Sequence, residues 1–125
     1  MGFSLSNLIF NGPEEKLKLT QNTQPAIMVV GVSIFTVLKQ KFDLNLNESK
    51  FFAGHSLGEY TALVCAGSLS LEKAAYLLNE RGKAMQEAVP EGQGAMIAML
   101  GITIDEVKKE LDLLPKNGVC EIAND

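Results

Sequence analysis

Apolar and polar positions alternate along most of the chain with the spacing of amphipathic helices. The predicted helices cover residues 13–19, then a segment that has Pro25 in its first turn and ends at about 42, and then residues 57–66, 71–88 and 104–114. The second of these is apolar nearly all round between positions 26 and 37, so we expect it to be buried on most of its faces.

Polar residues with helix-capping chemistry stand at several of these boundaries. Asn22 or Thr23 can cap the second helix, and Ser70 can cap the fourth. Thr103 and Glu106 form the pattern of a capping box, in which each side chain binds the other residue's backbone amide. These residues predict where three of the helices begin.

Three short apolar stretches, at residues 51–54, 95–100 and 119–123, predict buried strands. Strands that alternate with helices are typical of α/β proteins with a parallel sheet. The stretch around Gly92 separates the two parts of this pattern. We therefore predict two regions, residues 1–91 and residues 92–125.

Composition limits the classes of partner. The 125 residues are 46% hydrophobic and 21% charged, with a formal net charge of −4, which is typical of a globular chain and unlike a nucleic-acid binder. The longest apolar stretch, residues 25–38, is shorter than the roughly 20 residues that span a membrane. We expect neither a nucleic acid nor a membrane among the partners.

The two cysteines, Cys65 and Cys120, form no C-x-x-C pair, and the chain has one histidine. We interpret both cysteines as reduced thiols in the core and predict no metal site. Reduced thiols suit a reducing compartment, and we expect the protein in the cytoplasm.

The sequence G-H-S-L-G at 54–58 matches the pattern G-x-S-x-G, in which a strand turns sharply into a helix and exposes a serine. Gly54 and Gly58 would let neighbouring backbone pass close to Ser56, which would be held in a strained conformation. The backbone amide of Leu57 could then stabilise an oxyanion. The alternative is a glycine-rich turn with a solvated serine.

A serine nucleophile needs a base, and the only histidine is His55. Neighbouring side chains at the end of a strand point to opposite sides, so His55 should not reach the Ser56 hydroxyl. We interpret His55 as structural. The base is therefore another residue type or lies outside this chain.

Four motifs in this order resemble malonyl-CoA:acyl carrier protein transacylases: T-Q-P-A at 23–26, G-H-S-L-G-E-Y at 54–60, R-G at 81–82 and V-P-E-G-Q-G-A-M at 89–96. The resemblance implies an α/β-hydrolase-like parallel-sheet core with a nucleophile elbow. It also implies that residues 92–125 begin a small ferredoxin-like subdomain.

The function that the resemblance implies is malonyl transfer in fatty acid biosynthesis. Ser56 would take malonyl from coenzyme A and pass it to the phosphopantetheine thiol of acyl carrier protein, with no cofactor besides the coenzyme A thioester substrate. Arg81 would bind the free carboxylate of malonate, for which its planar fork of donors is suited. Glu59 would be structural, at the start of the helix that follows the serine.

The resemblance also implies that the catalytic histidine and a glutamine-rich oxyanion loop belong to parts of the enzyme outside residues 1–125. We therefore expect this chain alone to be inactive and to need the remainder of the enzyme as a partner. Losing a base and one oxyanion donor costs orders of magnitude in rate.

Three alternatives stay open. A serine esterase or lipase of related fold could use the same turn, with Asp105 or Asp125 as a partner for the serine. The chain could be a non-catalytic truncated product. It could also belong to a polyketide synthase, whose acyltransferase domains share the serine motif.

Overall fold

The computed structural model describes residues 2–42, 45, 48–90, 92–115 and 117–125. The helices in these ranges are α1 (Leu5–Asn11), α2 (Glu14–Leu17), α3 (Thr20–Lys41), α4 (Gly58–Cys65), α5 (Leu71–Ala88) and α6 (Ile104–Leu113). The chain divides into two compact units, Met1–Gly94 and Ala95–Asp125.

The parallel-sheet core predicted from the sequence is wrong for this chain, because the described residues contain helices and no strand. The segments 51–54, 95–100 and 119–123 make no backbone hydrogen bonds to other described residues. An apolar stretch becomes a strand only when a neighbour pairs with it. Among the residues that the structure describes, the three stretches have no such neighbour.

Two helices begin where the sequence predicted. Ser70 caps α5 by accepting a hydrogen bond from the backbone of Lys73, and the capping box predicted at Thr103 and Glu106 is complete at the start of α6. Both predictions are confirmed because a cap depends on residues within a single turn.

The start of α3 differs from the prediction. The helix begins at Thr20, so Asn22 and Thr23 lie inside its first turn. Their side chains donate hydrogen bonds backwards, Asn22 Nδ2 to the carbonyl of Lys16 and Thr23 Oγ1 to the carbonyl of Leu17. They therefore join α3 to α2 and do not cap it. α1 was not predicted at all.

The core of the first unit lies where α3 and α5 meet. Met28 from α3 and Ala74 and Leu78 from α5 are fully buried there. Leu57, which directly precedes α4, and Tyr60, which lies in α4, pack against this cluster. The core thus connects the segment around position 56 to the two longest helices.

The expectation that the apolar helix is buried on most faces is wrong. Val30, Ile34 and Val37 of α3 are about half exposed, and Phe10 of α1 is 83% exposed. These residues line an open apolar groove of about 600 Å³ between α1 and α3. One face of α3 packs on α5, and no described residue covers this other face.

The cysteines also depart from the core positions predicted for them. Both are free thiols, but Cys65 is only partly buried and Cys120 is exposed. Burial raises the pKa of the Cys65 thiol above its ordinary value. In the described ranges, no helix is long and apolar enough to cross a membrane.

Candidate active site

Ser56 lies in a tight turn that leads into α4. Its φ of 54° makes it the only described residue other than glycine with a positive φ. Such a conformation is costly for serine and persists only where the surroundings enforce it. The strained backbone predicted at this position is confirmed.

Hydrogen bonds and close packing hold the turn. The amide of Gly58 donates to the carbonyl of His55 at 2.8 Å, and the amide of Glu59 donates to the carbonyl of Ser56 at 3.3 Å. A Cβ atom on Gly54 would lie 2.0 Å from the carbonyl carbon and oxygen of Gly58. Only glycine fits at position 54, because the backbone doubles back onto the first turn of α4.

The second glycine of the motif has a different environment. A Cβ atom on Gly58 would meet nothing within 4 Å. The close approach expected of both glycines is therefore found only at Gly54.

Leu57 links the serine to the core. Its side chain packs against the buried cluster of Met28, Ala74 and Leu78. Its backbone amide makes no hydrogen bond to any other residue that the structure describes. This free donor at the start of α4 directly follows the serine, which is where an oxyanion donor is needed.

Arg81 reaches the serine from the middle of α5. Its Nη2 donates to the hydroxyl of Ser56 at 3.1 Å, and its Nη1 donates to Oε1 of Gln24. Although Ser56 and Arg81 are 25 positions apart, the fold brings them into direct contact.

The positive charge of Arg81 is not neutralised by a carboxylate among the described residues. The ion pairs there involve lysines, and the nearby Glu80 pairs with Lys83 at 2.7 Å. A cation that faces an exposed hydroxyl and lacks an anionic partner can bind an anion between them.

A close approach between α3 and α5 brings Gln24 to Arg81. A Cβ atom on Gly82 would lie 2.3 Å from Cα of Gln21, so α3 can come this near only because position 82 is glycine. Pro25 has no N–H to bond the carbonyl of Gln21, and Nδ2 of Asn79 donates to that carbonyl at 2.8 Å instead. A proline inside α3 thereby creates an interhelical contact.

The other predicted side chains take no part in the hydrogen bond between Arg81 and Ser56. His55 and Glu59 are both exposed, and no hydrogen bond joins the His55 side chain to Ser56 among the described residues. Asp105 and Asp125 belong to the second unit. The described residues include no cluster of three or more histidine, cysteine or acidic side chains that could hold a metal.

Sequence reasoning gave no role to Gln24 or Asn79. Gln24 lies in the T-Q-P-A motif, but its contact with Arg81 spans 57 positions. The one available signal was the polar character of both residues on helices with apolar neighbours. Buried amides usually have a hydrogen-bond partner, and both of these are buried.

The chain is similar to known proteins over nearly its whole length. The sequence profile of the acyl transferase domain matches residues 1–124. The chain is 44% identical over 121 residues to the malonyl CoA-acyl carrier protein transacylase of Bacillus subtilis strain 168. That alignment covers 96% of this chain and 37% of the relative.

Two solved structures are similar over most of this chain. An acyl-carrier-protein-S-malonyltransferase from Bartonella henselae has a TM-score of 0.84 and 47% identity, and the match covers 97% of this chain and 38% of that one. A malonyl-transacylase in complex with its type II PKS acyl-carrier protein has a TM-score of 0.70 and 44% identity, covering 90% of this chain and 36% of that one. The chain thus spans less than two fifths of the length of these relatives.

Proposed function

Because the chain belongs to the acyl transferase domain family, we propose that it carries the acyl-bearing serine and the carboxylate-binding arginine of a malonyl-CoA:acyl carrier protein transacylase. The observation that carries this proposal is the contact between Arg81 Nη2 and Ser56 Oγ at 3.1 Å. Malonyl relatives at 44–47% identity support the choice of acyl group.

The first half-reaction acylates the serine. Ser56 Oγ attacks the thioester carbonyl of malonyl-CoA and loses its proton to a general base, the C–S bond breaks, and coenzyme A leaves as the protonated thiol. The free amide of Leu57 stabilises the oxyanion that forms in between. In this role the turn at 54–58 is a nucleophile elbow, with Gly54 required for its shape.

Arg81 selects the acyl chain. In an ester on Ser56, the free carboxylate of malonyl lies three carbons from the ester oxygen, so it can fold back to a donor that lies beside that oxygen. The guanidinium then exchanges its contact with the hydroxyl for a contact with the carboxylate. An acetyl chain has no such group, so the same contact favours malonyl over acetyl.

The second half-reaction transfers malonyl to a carrier. The thiol of a phosphopantetheine arm attacks the ester, the C–O bond breaks, and Ser56 regains its proton. The relative solved in complex with its acyl-carrier protein supports a carrier protein as the acceptor. We place the reaction in fatty acid biosynthesis in the cytoplasm, where free thiols such as Cys65 and Cys120 persist. The coenzyme A thioester is a substrate whose thiol leaves as a product, and the proposed reaction uses no resident cofactor.

The general base is not identified among the described residues. His55 makes no hydrogen bond to Ser56 there, and the amide of Leu57 is a single oxyanion donor. We therefore expect residues 1–125 alone to show negligible turnover. Residues elsewhere in the acyltransferase would supply the base and the second donor.

Acylation of Ser56 is the direct test. The polypeptide that carries these residues in the cell is mixed with malonyl-CoA, quenched in acid, digested and analysed by mass spectrometry. We expect one malonyl group on the peptide that contains Ser56. Ser56→Ala should remove it, whereas Ser68→Ala, in the exposed turn after α4, should not.

Two outcomes would contradict the proposal. Malonyl on another residue, unchanged in Ser56→Ala, would exclude Ser56 as the carrier. Rapid hydrolysis of short neutral esters, unaffected by Arg81→Ala, would favour the esterase alternative instead.

A further inference from the structure

The geometry points to Gln24 as a positioning residue that holds the Arg81 guanidinium in the orientation needed to recognise a carboxylate on Ser56. The inference rests on the proposed function, and it assigns to α3 a part in substrate selection. Gln24 does not touch the serine, so it would act only through Arg81.

Gln24 has the burial and chemistry of a fixed anchor. Its side chain is only 4% exposed, and Oε1 accepts a hydrogen bond from Arg81 Nη1. An arginine side chain offers donors and no acceptor, so the oxygen of the amide must face it. A buried hydrogen bond to a charged group is stronger than one between neutral groups.

The other end of the same amide is also occupied. Nε2 of Gln24 donates to Sδ of Met85 at 3.4 Å. Met85 lies one helical turn after Arg81 on α5, so the amide from α3 bridges two successive turns of α5. A rotation of the amide about its last side-chain bond would break both contacts, and this fixes its orientation.

The two terminal nitrogens of the Arg81 guanidinium make different contacts. Nη1 is held by Gln24, and Nη2 faces the hydroxyl of Ser56. Rotation of the guanidinium about its Cζ–Nε bond would exchange the two nitrogens and disturb the donor that faces the serine. Gln24 prevents that exchange and leaves the charge of Arg81 free for an anion, because a neutral amide does not cancel it.

Two substitutions separate orientation from charge. Gln24→Met keeps the length of the side chain but removes the acceptor, so Arg81 keeps its charge and loses its anchor. Gln24→Glu keeps an acceptor but places a negative charge beside the guanidinium. Gln86→Met on α5 is the matched control, because among the described residues the Gln86 amide hydrogen-bonds to the carbonyl of Val89 and not to Arg81.

The kinetic readout is the ratio of kcat/KM for malonyl-CoA to kcat/KM for acetyl-CoA, measured on the complete acyltransferase polypeptide. We expect each Gln24 variant to lower this ratio about tenfold, mainly by raising KM for malonyl-CoA. Gln24→Met removes a hydrogen bond to the charged guanidinium, and Gln24→Glu neutralises the charge of Arg81. In an Arg81→Ala background, Gln24→Met should change the ratio no further. A purely structural role would lower both activities together and leave the ratio unchanged.

A second readout needs no activity. Nitrogen NMR of the Arg81 guanidinium resolves Nη1 and Nη2 separately only when rotation about Cζ–Nε is slow. We expect separate signals in the unmodified protein and in Gln24→Glu, and one averaged signal in Gln24→Met.

Freely rotating Nη atoms in the unmodified protein would overturn the inference even if Gln24→Met failed to fold. An unchanged malonyl-to-acetyl ratio in both Gln24 variants would also overturn it. If Ser56 is never acylated but the NMR signals behave as expected, the proposed function fails and the positioning of Arg81 by Gln24 stands.

Discussion

The interface of α3 with α5 and the unit Ala95–Asp125 both contain helices predicted from the sequence, yet the two regions have very different structures. The interface has a fully buried core, and polar side chains there make hydrogen bonds that span 57 and 58 positions, one to another side chain and one to a backbone carbonyl. In the second unit no described residue is buried, although α6 carries a complete capping box. Local hydrogen bonds are thus enough to define a helix, whereas a site requires packing between distant segments.

The largest expected effect of a single change lies in the core of the first unit. Leu78→Ala should lower the free energy of unfolding by about 3 kcal/mol, because it empties a fully buried position. Leu111→Ala, at a half-buried position of α6, should cost less than about 1 kcal/mol. Native-state hydrogen exchange of the α5 and α6 amides measures both, and equal losses would remove the contrast between the regions.

The close approach of α3 to α5 gives the next largest effect. Gly82→Ala should cost about 2 kcal/mol, because its Cβ would lie 2.3 Å from Cα of Gln21 and the two helices must separate. Urea unfolding followed by circular dichroism measures this loss.

Gly58→Ala is the matched control for that change, since an added Cβ there meets nothing within 4 Å. It should be neutral or stabilise α4 by about 0.5–1 kcal/mol, because alanine favours a helix over glycine. A stable Gly82→Ala protein with unchanged acyl selectivity would show that the two helices do not need this contact.

Removal of the N-terminal cap should destabilise α6 in the second unit more than α5 in the first. Thr103→Ala should cost α6 about 1 kcal/mol, and that loss should be visible as faster exchange of its amides because little packing supports the helix. Ser70→Ala removes a similar cap from α5, but buried Ala74 and Leu78 hold that helix in place. Equal increases in amide exchange in α5 and α6 would contradict this reasoning.

The smallest effect is a dependence of α6 on pH. Hydrogen bonds from the Thr103 side chain and backbone lower the pKa of Glu106 below its ordinary value of 4.5. A carboxylate whose pKa is lower in the folded state stabilises that state above pH 4.5, and this contribution is lost as the pH falls through the lowered pKa. Amide exchange of α6 at decreasing pH measures it, and Glu106→Gln should flatten the dependence.

Features coded within one turn of chain could be predicted from the sequence. The first residues of α5 and α6 follow from their N-terminal caps. The positive φ of Ser56 follows from the spacing of the glycines around it. The early start of α3 could not be predicted in this way, since Pro25 stays inside the helix and Asn79 bonds the carbonyl that it leaves free.

Features that depend on contacts between distant parts of the chain were not predicted from the sequence, or were predicted wrongly. The stretch 51–54 is apolar, and the ring of Phe52 packs edge-on against Phe35, at 6.1 Å between centroids. No strand among the described residues pairs with this stretch. The contact of Arg81 with Ser56 was expected only through resemblance to a family. The anchoring of Arg81 by Gln24 was not expected, because no local pattern connects positions 24 and 81.

We propose that Arg81 selects a carboxylate-bearing acyl group on Ser56, and one measurement tests this claim most directly. The complete acyltransferase polypeptide and its Arg81→Ala variant are each offered equal amounts of malonyl-CoA and acetyl-CoA, and the two acyl groups on Ser56 are counted by mass spectrometry. We predict that malonyl dominates in the unmodified enzyme and that its excess falls about tenfold or more in the variant. An undiminished excess of malonyl in Arg81→Ala would contradict the claim.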